Sequence, residues 1–283
     1  MVTGIIGMGL MGGSFGRTLM RLGLPVYGSD ISENALIKAE AAGAMAERLT
    51  KENAGELDLL VTAVNPSDFP AAAEEFLPHL KSGAAVIDFS GTKRGVIRAM
   101  RDMAERYPEL CFIGGHPMAG REFSGIEHSV SHLFDRASMI FVPVKADIFE
   151  LDRFKKFFLS LGFGEVVITT AENHDRMIAF TSQMCHAVSN AYILSPTAKE
   201  HFGYSAGSYK DMTRVARLNS RMWSELMVEN GDYLSRELGI FIDNLKKYKA
   251  AIDRGDKEEL RGLLEKGSRI KIELDGGAKD VKR

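Results

Sequence analysis

The stretch VTGIIGMGLMGG, residues 2–13, decides the fold. It opens as an apolar strand, and Gly7, Gly9 and Gly12 then fall in a G-x-G-x-x-G spacing at the head of a helical pattern that runs to about Leu22. A second apolar strand, residues 25–29, ends in Asp30, twenty-three positions after Gly7. Strand, glycine turn, helix, strand and acid in that order form the dinucleotide-binding fingerprint. Gly7 permits the tight turn, Gly9 lets the backbone approach a pyrophosphate, and Gly12 lets the helix close on the sheet. The first helical turn, Leu10 and Met11 included, offers unpaired N–H groups to the phosphates. Asp30 is expected to accept from the adenine-ribose hydroxyls. No Arg stands in Ile31-Ser32-Glu33 to receive a 2′-phosphate, so NAD is expected and not NADP.

The alternation continues outward from this motif. Residues 58–64, 84–90, 111–115, 138–144 and 165–169 read as buried strands, with helical segments near 68–80, 93–106 and 150–161. That predicts an α/β fold: a doubly wound, mostly parallel, Rossmann-type sheet covered by helices. Ligands in such sheets sit beyond the carboxyl ends of the strands. Val64-Asn65-Pro66, Ser90-Gly91-Thr92-Lys93 and Gly115-His116-Pro117 all fall there. Val64, Asn65 and Thr92 are therefore expected beside the cofactor, and His116 where the nicotinamide should lie.

After about Thr170 the strand signal stops. Residues 171–194 carry apolar side chains at helical spacing, and helices are expected near 221–254 and 257–274, ahead of a polar tail, GGAKDVKR. The expected division is a dinucleotide-binding domain over 1–169 and an all-helical domain over 170–283. Helices this long and apolar need a covering surface, which predicts a homodimer.

Three polar features stand out in this half. His186 lies one helical turn after Ser182, Lys210 and Arg214 are similarly paired, and Trp223 is the lone tryptophan. Alone, each has a plain explanation: a hydrogen-bonded core histidine, a solvated charged face, a packing residue.

With 283 residues, 45% hydrophobic and 26% charged, the chain is globular in composition, and a net charge of −2 argues against a nucleic-acid partner. No apolar run is long enough to span a bilayer. Cys111 and Cys185, seventy-four positions apart, make neither a disulfide framework nor a zinc site, so a cytoplasmic protein with reduced thiols is expected. His128 and His132 lack a third ligand, and no metal is expected. There is no G-x-S-x-G elbow and no P-loop Lys, which sets acyl and phosphoryl transfer aside.

GGHPMAG at 114–120 with E-x-S-G behind it, the S-x-x-x-H helix, then K-D-x-T-R at 210–214 and Met222-Trp223 resemble, in order, the prephenate and arogenate dehydrogenases of tyrosine biosynthesis. The resemblance implies NAD-dependent oxidative decarboxylation of a cyclohexadienol that carries two carboxylates, prephenate ahead of arogenate. It implies that His116 takes the proton of the ring hydroxyl, Arg214 binds a carboxylate, and His186 and Ser182 line the substrate pocket. Lys210 adds positive charge, or its loop serves the partner subunit's site. Glu122 falls where the family has a glutamate near substrate.

The family's Gly-Ser-Val/Thr-Lys reads Ser90-Gly91-Thr92-Lys93 here, so the catalytic hydroxyl is expected from Ser90, with Thr92 or a water as the alternatives. Arg121, where a small polar residue is usual, adds positive charge near the pocket. A protein that senses dinucleotide without chemistry remains the alternative from another class.

Overall fold

All four residues of strand β1, Thr3–Ile6, are buried, as a strand covered by helices on both faces requires. The computed structural model describes residues 1–121 and 123–280, with side chains through residue 276. The strands that follow are β2 (Val26–Ser29), β3 (Glu47–Arg48), β4 (Leu59–Thr62), β5 (Ala85–Asp88), β6 (Cys111–Pro117), β7 (Ser138–Lys145) and β8 (Glu165–Ile168). They form one sheet in the order β3-β2-β1-β4-β5-β6-β7-β8. Every pairing is parallel except β6 with β7, which is antiparallel. The order reverses at β1 and β4, and the crevice beyond their carboxyl ends is where such a sheet takes a ligand.

Helices α1 (Leu10–Arg21), α2 (Glu33–Ala41), α3 (Phe69–Glu74), α4 (Arg94–Arg106) and α5 (Ile148–Ser160) connect the strands. On one face, Phe15, Phe89, Phe134, Phe141, Phe158 and Phe163 form an interlocking aromatic cluster. Each fully buried ring contributes about 2–3 kcal/mol. The opposite face is packed by Val96, Ile97, Met100 and Met103 of α4 against Val86 and Phe112. The short strand β3 and the helix α2 add to the elements expected from the pattern.

The second half is helical: α6 (Ala171–Ile178), a π-helical turn (Ala179–Gln183), α7 (Met184–Ile193), α8 (Gly207–Thr213), α9 (Ser220–Glu229), α10 (Gly231–Asp253) and α11 (Lys257–Asp280). Two expectations need correction. The single helix over 221–254 is broken at Asn230, whose side chain is recruited by partners far away in sequence. Helix α11 also continues to Asp280, into what read as a polar tail.

The chain forms two compact units, Met1–Gly231 and Asp232–Arg283. In the second, α10 and α11 meet through Tyr248, whose hydroxyl donates to the Leu263 carbonyl at 3.2 Å. Ile240, Ile242, Leu245, Ile252, Leu264, Ile270, Ile272 and Leu274 of these helices stand exposed in the single chain.

Candidate active site

Strand β1 ends in Gly7, whose φ of +91° is left-handed, and a Cβ there would stand 2.6 Å from the Ala63 carbonyl oxygen. A Cβ at Gly12 would collide with the carbonyl oxygen of Gly7, so only glycine lets α1 start this close to the strand. At Gly9, the N-cap of α1, a Cβ would meet nothing within 4 Å. No side chain caps that helix start and no acid sits in its first turn, so its N–H groups are left for an anion.

Asp30 is partly buried at the end of β2 and accepts from Met8 N–H at 2.7 Å and Ser32 N–H at 2.8 Å. Each carboxylate oxygen keeps a lone pair for a further donor. Val64 and Asn65 flank this loop just after β4, half-buried, and Leu10 and Met11 are half-buried in the first turn of α1. An uncapped helix start, open space above Gly9 and an acid at the end of β2 fit a dinucleotide's pyrophosphate and ribose diol.

Beyond β5 and β6 lies a second, buried polar group. Asp88 accepts from Ser90 N–H and Gly115 N–H, both at 2.9 Å, and from the Lys93 ammonium; Asp88 and Lys93 are wholly buried. Burial holds the Lys93 pKa below its ordinary value against the attraction of Asp88. Gly114 and Gly115 are strand residues of β6, as the sequence pattern predicts. A Cβ at Gly114 would press on Ile97 and the Lys93 stem, and one at Gly115 on the Asp88 carbonyl and Ile87. These glycines make room for the ion pair that lies beneath His116.

His116 sits near the end of β6. Part of the residue reaches solvent, yet its imidazole is packed among protein atoms, and Nδ1 lies 2.8 Å from His174 Nε2. His174 Nδ1 in turn lies 2.7 Å from Asp175 Oδ1. Asp175 also accepts from Lys93 N–H at 2.8 Å, Arg94 N–H at 3.0 Å and Arg94 Nε–H at 3.2 Å. Burial, then the neighbouring His174 and Lys93, hold the His116 pKa well below the ordinary 6.5. Burial likewise lowers His174, outweighing its bond to Asp175. For Asp175 burial acts upward, but the donors from His174, Arg94 and Lys93 prevail and keep it ionised.

Helix α9 closes this region. Asn230, just past its end, donates to the Asp175 carbonyl and to Gln183 Oε1, both at 2.8 Å, and accepts from Arg94 at 3.0 Å. Gln183, in the π-helical turn, donates to the Leu226 carbonyl. Glu229 accepts from Thr92 Oγ1 at 2.6 Å, and Glu225 from Ser67 Oγ at 2.9 Å. The buried Thr92 hydroxyl is thus bonded to α9. Ser90 Oγ is buried and has no hydrogen-bond partner among the described residues.

The remaining expected residues lie on the helical side. Ser182 is half-buried in the π-helical turn, a distortion frequent at functional sites. From α7, His186 Nδ1–H donates to the Val215 carbonyl at 3.1 Å, Ser189 to Met212 at 2.7 Å and Asn190 to Ala216 at 3.0 Å. Those three bonds fix the segment that carries Arg214, which is exposed just after α8. His186 packs on Trp223 with ring centroids 3.9 Å apart. Lys210 is exposed on α8, and Arg121 is exposed with its guanidinium donating to the His128 carbonyl at 3.0 Å. Arg217 lies over the Phe123 ring, joining the loop after His116 to the segment after α8. Glu122 lies outside the described residues.

The sequence reading missed His174, Asp175, Asp88, Gln183, Glu229 and Asn230. Its one available signal was the His-Asp pair opening the first helix after the last strand. Nothing in its spacing points to His116, fifty-eight positions away.

Residues 15–167 match the family model described as prephenate dehydrogenase, nucleotide-binding domain, and residues 170–266 the one described as prephenate dehydrogenase, dimerization domain. The cyclohexadienyl dehydrogenase of Zymomonas mobilis is 27% identical over 290 residues, covering 95% of this chain and 94% of its own length. The prephenate dehydrogenase of Lactococcus lactis is 26% identical, over 97% of this chain and 78% of its own. Among solved structures, the prephenate dehydrogenase of A. aeolicus, in complex with hydroxyphenyl propionate and NAD+, superimposes with a TM-score of 0.82 at 27% identity. It covers 96% of this chain and 98% of its own.

Proposed function

The chain belongs to the prephenate dehydrogenase family, and from that premise we propose that it oxidatively decarboxylates prephenate to 4-hydroxyphenylpyruvate with NAD. The observation that carries this reading is the position of His116: an imidazole kept neutral at the carboxyl edge of the sheet, on the side where Gly7, Gly9, Gly12 and Asp30 form a dinucleotide cradle. When bound, NAD supplies the hydride acceptor.

This chain's residues then have two tasks. The substrate's ring hydroxyl must lose its proton as the C–O bond becomes a carbonyl, and His116, neutral and fixed, accepts it. The ring carboxylate leaves as carbon dioxide and its electron pair completes the aromatic ring, so the step runs one way. The substrate's negative charge needs cations: Arg214 meets a carboxylate with its planar fork, and Lys210 and Arg121 add positive potential. His186 and Ser182 line the pocket, with Glu122 near the substrate. Ser90, whose buried hydroxyl has no partner among the described residues, offers it to the substrate. In the cradle, Leu10, Met11, Val64, Asn65 and Thr92 border the dinucleotide.

The division of labour falls at 169/170, with cofactor on the first side and substrate and subunit contacts on the second. The partner is a second copy of this chain: the helical half matches a dimerization domain, and the apolar side chains of α10 and α11 that stand exposed suit an isologous interface. No described helix is long and apolar enough to cross a membrane, and the reading places the protein in the cytoplasm. Arogenate is the second reading, supported by a relative named for the cyclohexadienyl ring and not for one side chain.

The test is NADH formation by purified protein offered prephenate and arogenate in parallel. Faster turnover of prephenate is expected. Faster turnover of arogenate exchanges the two readings, and silence with both in protein that binds NAD removes them and favours a dinucleotide sensor.

A further inference from the structure

We infer that Asp175, acting through His174, fixes the tautomer of His116 and thereby decides which of its two nitrogens is the base. The inference rests on the reading of His116 as the proton acceptor, and it adds two positioning residues from a different part of the chain.

The argument is one of donors and acceptors. Asp175 is ionised and can only accept, and it already takes two backbone N–H groups and the Arg94 Nε–H. The 2.7 Å contact with its Oδ1 therefore requires a proton on His174 Nδ1. A neutral His174 then has a bare lone pair at Nε2. Lying 2.8 Å away, His116 Nδ1 must be the donor in that contact. One proton remains to a neutral imidazole, so His116 Nε2 carries the lone pair.

The two rings are inclined by 54°, with centroids 5.1 Å apart, an arrangement in which the nitrogens meet edge to edge and not face to face. The charged groups packed round the pair are Lys93 and Arg94 ahead of and at the start of α4, Asp88 of β5, and Asp175. Lys93 disfavours a second proton on either ring, and Asp88 is already engaged by the Lys93 ammonium. His116 thus rests as a neutral base with Nε2 as its only proton-accepting nitrogen. When it takes a proton there, the Nδ1–H bond to His174 and the carboxylate behind it stabilise the imidazolium.

Asp175→Asn tests this because the neighbours dictate how the amide must sit. Two donors from Arg94 face Oδ2, whereas Oδ1 faces one backbone N–H and His174, whose ring can switch from donor to acceptor. The amide oxygen stays with Arg94 and its NH₂ turns to His174 Nδ1. His174 then carries its proton on Nε2, His116 Nδ1 becomes the acceptor, and the His116 proton moves to Nε2, where the base was.

The first measurement is ring-nitrogen NMR of histidine-labelled native protein without substrate, with His116→Asn and His174→Phe assigning the signals. The expected result is a protonated Nδ1 and a bare Nε2 on His116. The reverse pattern, or a doubly protonated His174, overturns the inference whatever the substrate proves to be. In Asp175→Asn the two His116 nitrogens are expected to exchange character, and kcat to fall about 10²–10³-fold, within the range a positioned proton acceptor supplies, with KM and NAD affinity within a few-fold of native. A variant that is folded and binds NAD, yet keeps the native nitrogen pattern and kcat, also overturns it. Should the nitrogens behave as expected while His116→Asn still turns over normally, the proton-acceptor reading fails and the tautomer control stands.

Discussion

Two polar regions share the carboxyl edge of the sheet and are built in opposite ways. The cradle after β1 is backbone: Gly7 N–H donates to Ser29 at 2.8 Å, Met8 N–H to Asp30 at 2.7 Å, and the open helix start does the rest. Its three glycines and Asp30 lie within the first thirty residues. The group round His116 is made of side chains, with Asp88, Lys93, His174, Asp175 and Asn230 buried and Glu229 exposed at its edge, joined across as many as 137 positions. A cradle of main-chain donors loses little when one side chain changes. A dry network of charges is different, because each member is the partner of several others and removal of one leaves the rest unsatisfied. Binding and chemistry are thereby given to parts of the molecule that should fail differently.

The largest effect that separates them is expected from His116→Asn. Turnover should fall about 10⁴-fold, the upper end of what a positioned proton acceptor supplies, while NAD affinity measured by fluorescence titration stays near native. In the native chain the lowered His116 pKa places the acid limb of kcat/KM below pH 6.5, with activity lost as His116 gains a proton. The sign for stability is the same. His116 and His174 bind fewer protons folded than unfolded, so folding stability falls as pH drops below 6.5. An acid limb above 6.5 would contradict the packed environment described for the ring.

Lys93→Met should come next, and it should act on folding. It leaves Asp88 charged, wholly buried and without its cation, at a cost of about 3–5 kcal/mol. Denaturant unfolding measures it, and a loss below about 1 kcal/mol would mean that Asp88 has other means of neutralisation. Asp30→Ala, in the cradle, should do less. It removes ribose acceptors worth about 1.5–3 kcal/mol, seen as NAD affinity roughly 10–100-fold weaker with kcat at saturating NAD preserved. A loss in kcat instead would show that the cradle and the network are not separate.

The same contrast explains what the sequence could disclose. Gly7, Gly9, Gly12 and Asp30 were legible because their spacing follows from local geometry, and His116 because a polar residue closing a buried strand has a known place in such sheets. Asn230 was not, since the apolar pattern runs through it and its bonds to Asp175, Gln183 and Arg94 explain the break. His174 and Asp175 looked like any polar start to a helix. Their meaning depends on a strand fifty-eight positions earlier. The two glycines before His116 fall at the end of an expected strand, but their service to close packing depends on Ile97, Lys93 and Asp88, which glycine spacing alone does not disclose.

The smallest effect concerns Ser90, where the chain departs from its family. Its hydroxyl is buried and bonds to no described group, so Ser90→Ala costs no hydrogen bond within the protein, and stability should be unchanged or slightly higher. If the hydroxyl is kept for the substrate, kcat falls about 3–10-fold, the worth of one hydrogen bond, and the melting temperature does not. Reversing the order with Ser90→Gly and Gly91→Ser sharpens the point, because a Cβ at Gly91 would stand 3.4 Å from both Leu226 methyl groups. That is contact without collision, so α9 admits the side chain. Native turnover in Ser90→Ala together with faster turnover in the double variant would mean that the hydroxyl belongs at position 91 and that packing alone keeps a serine at position 90.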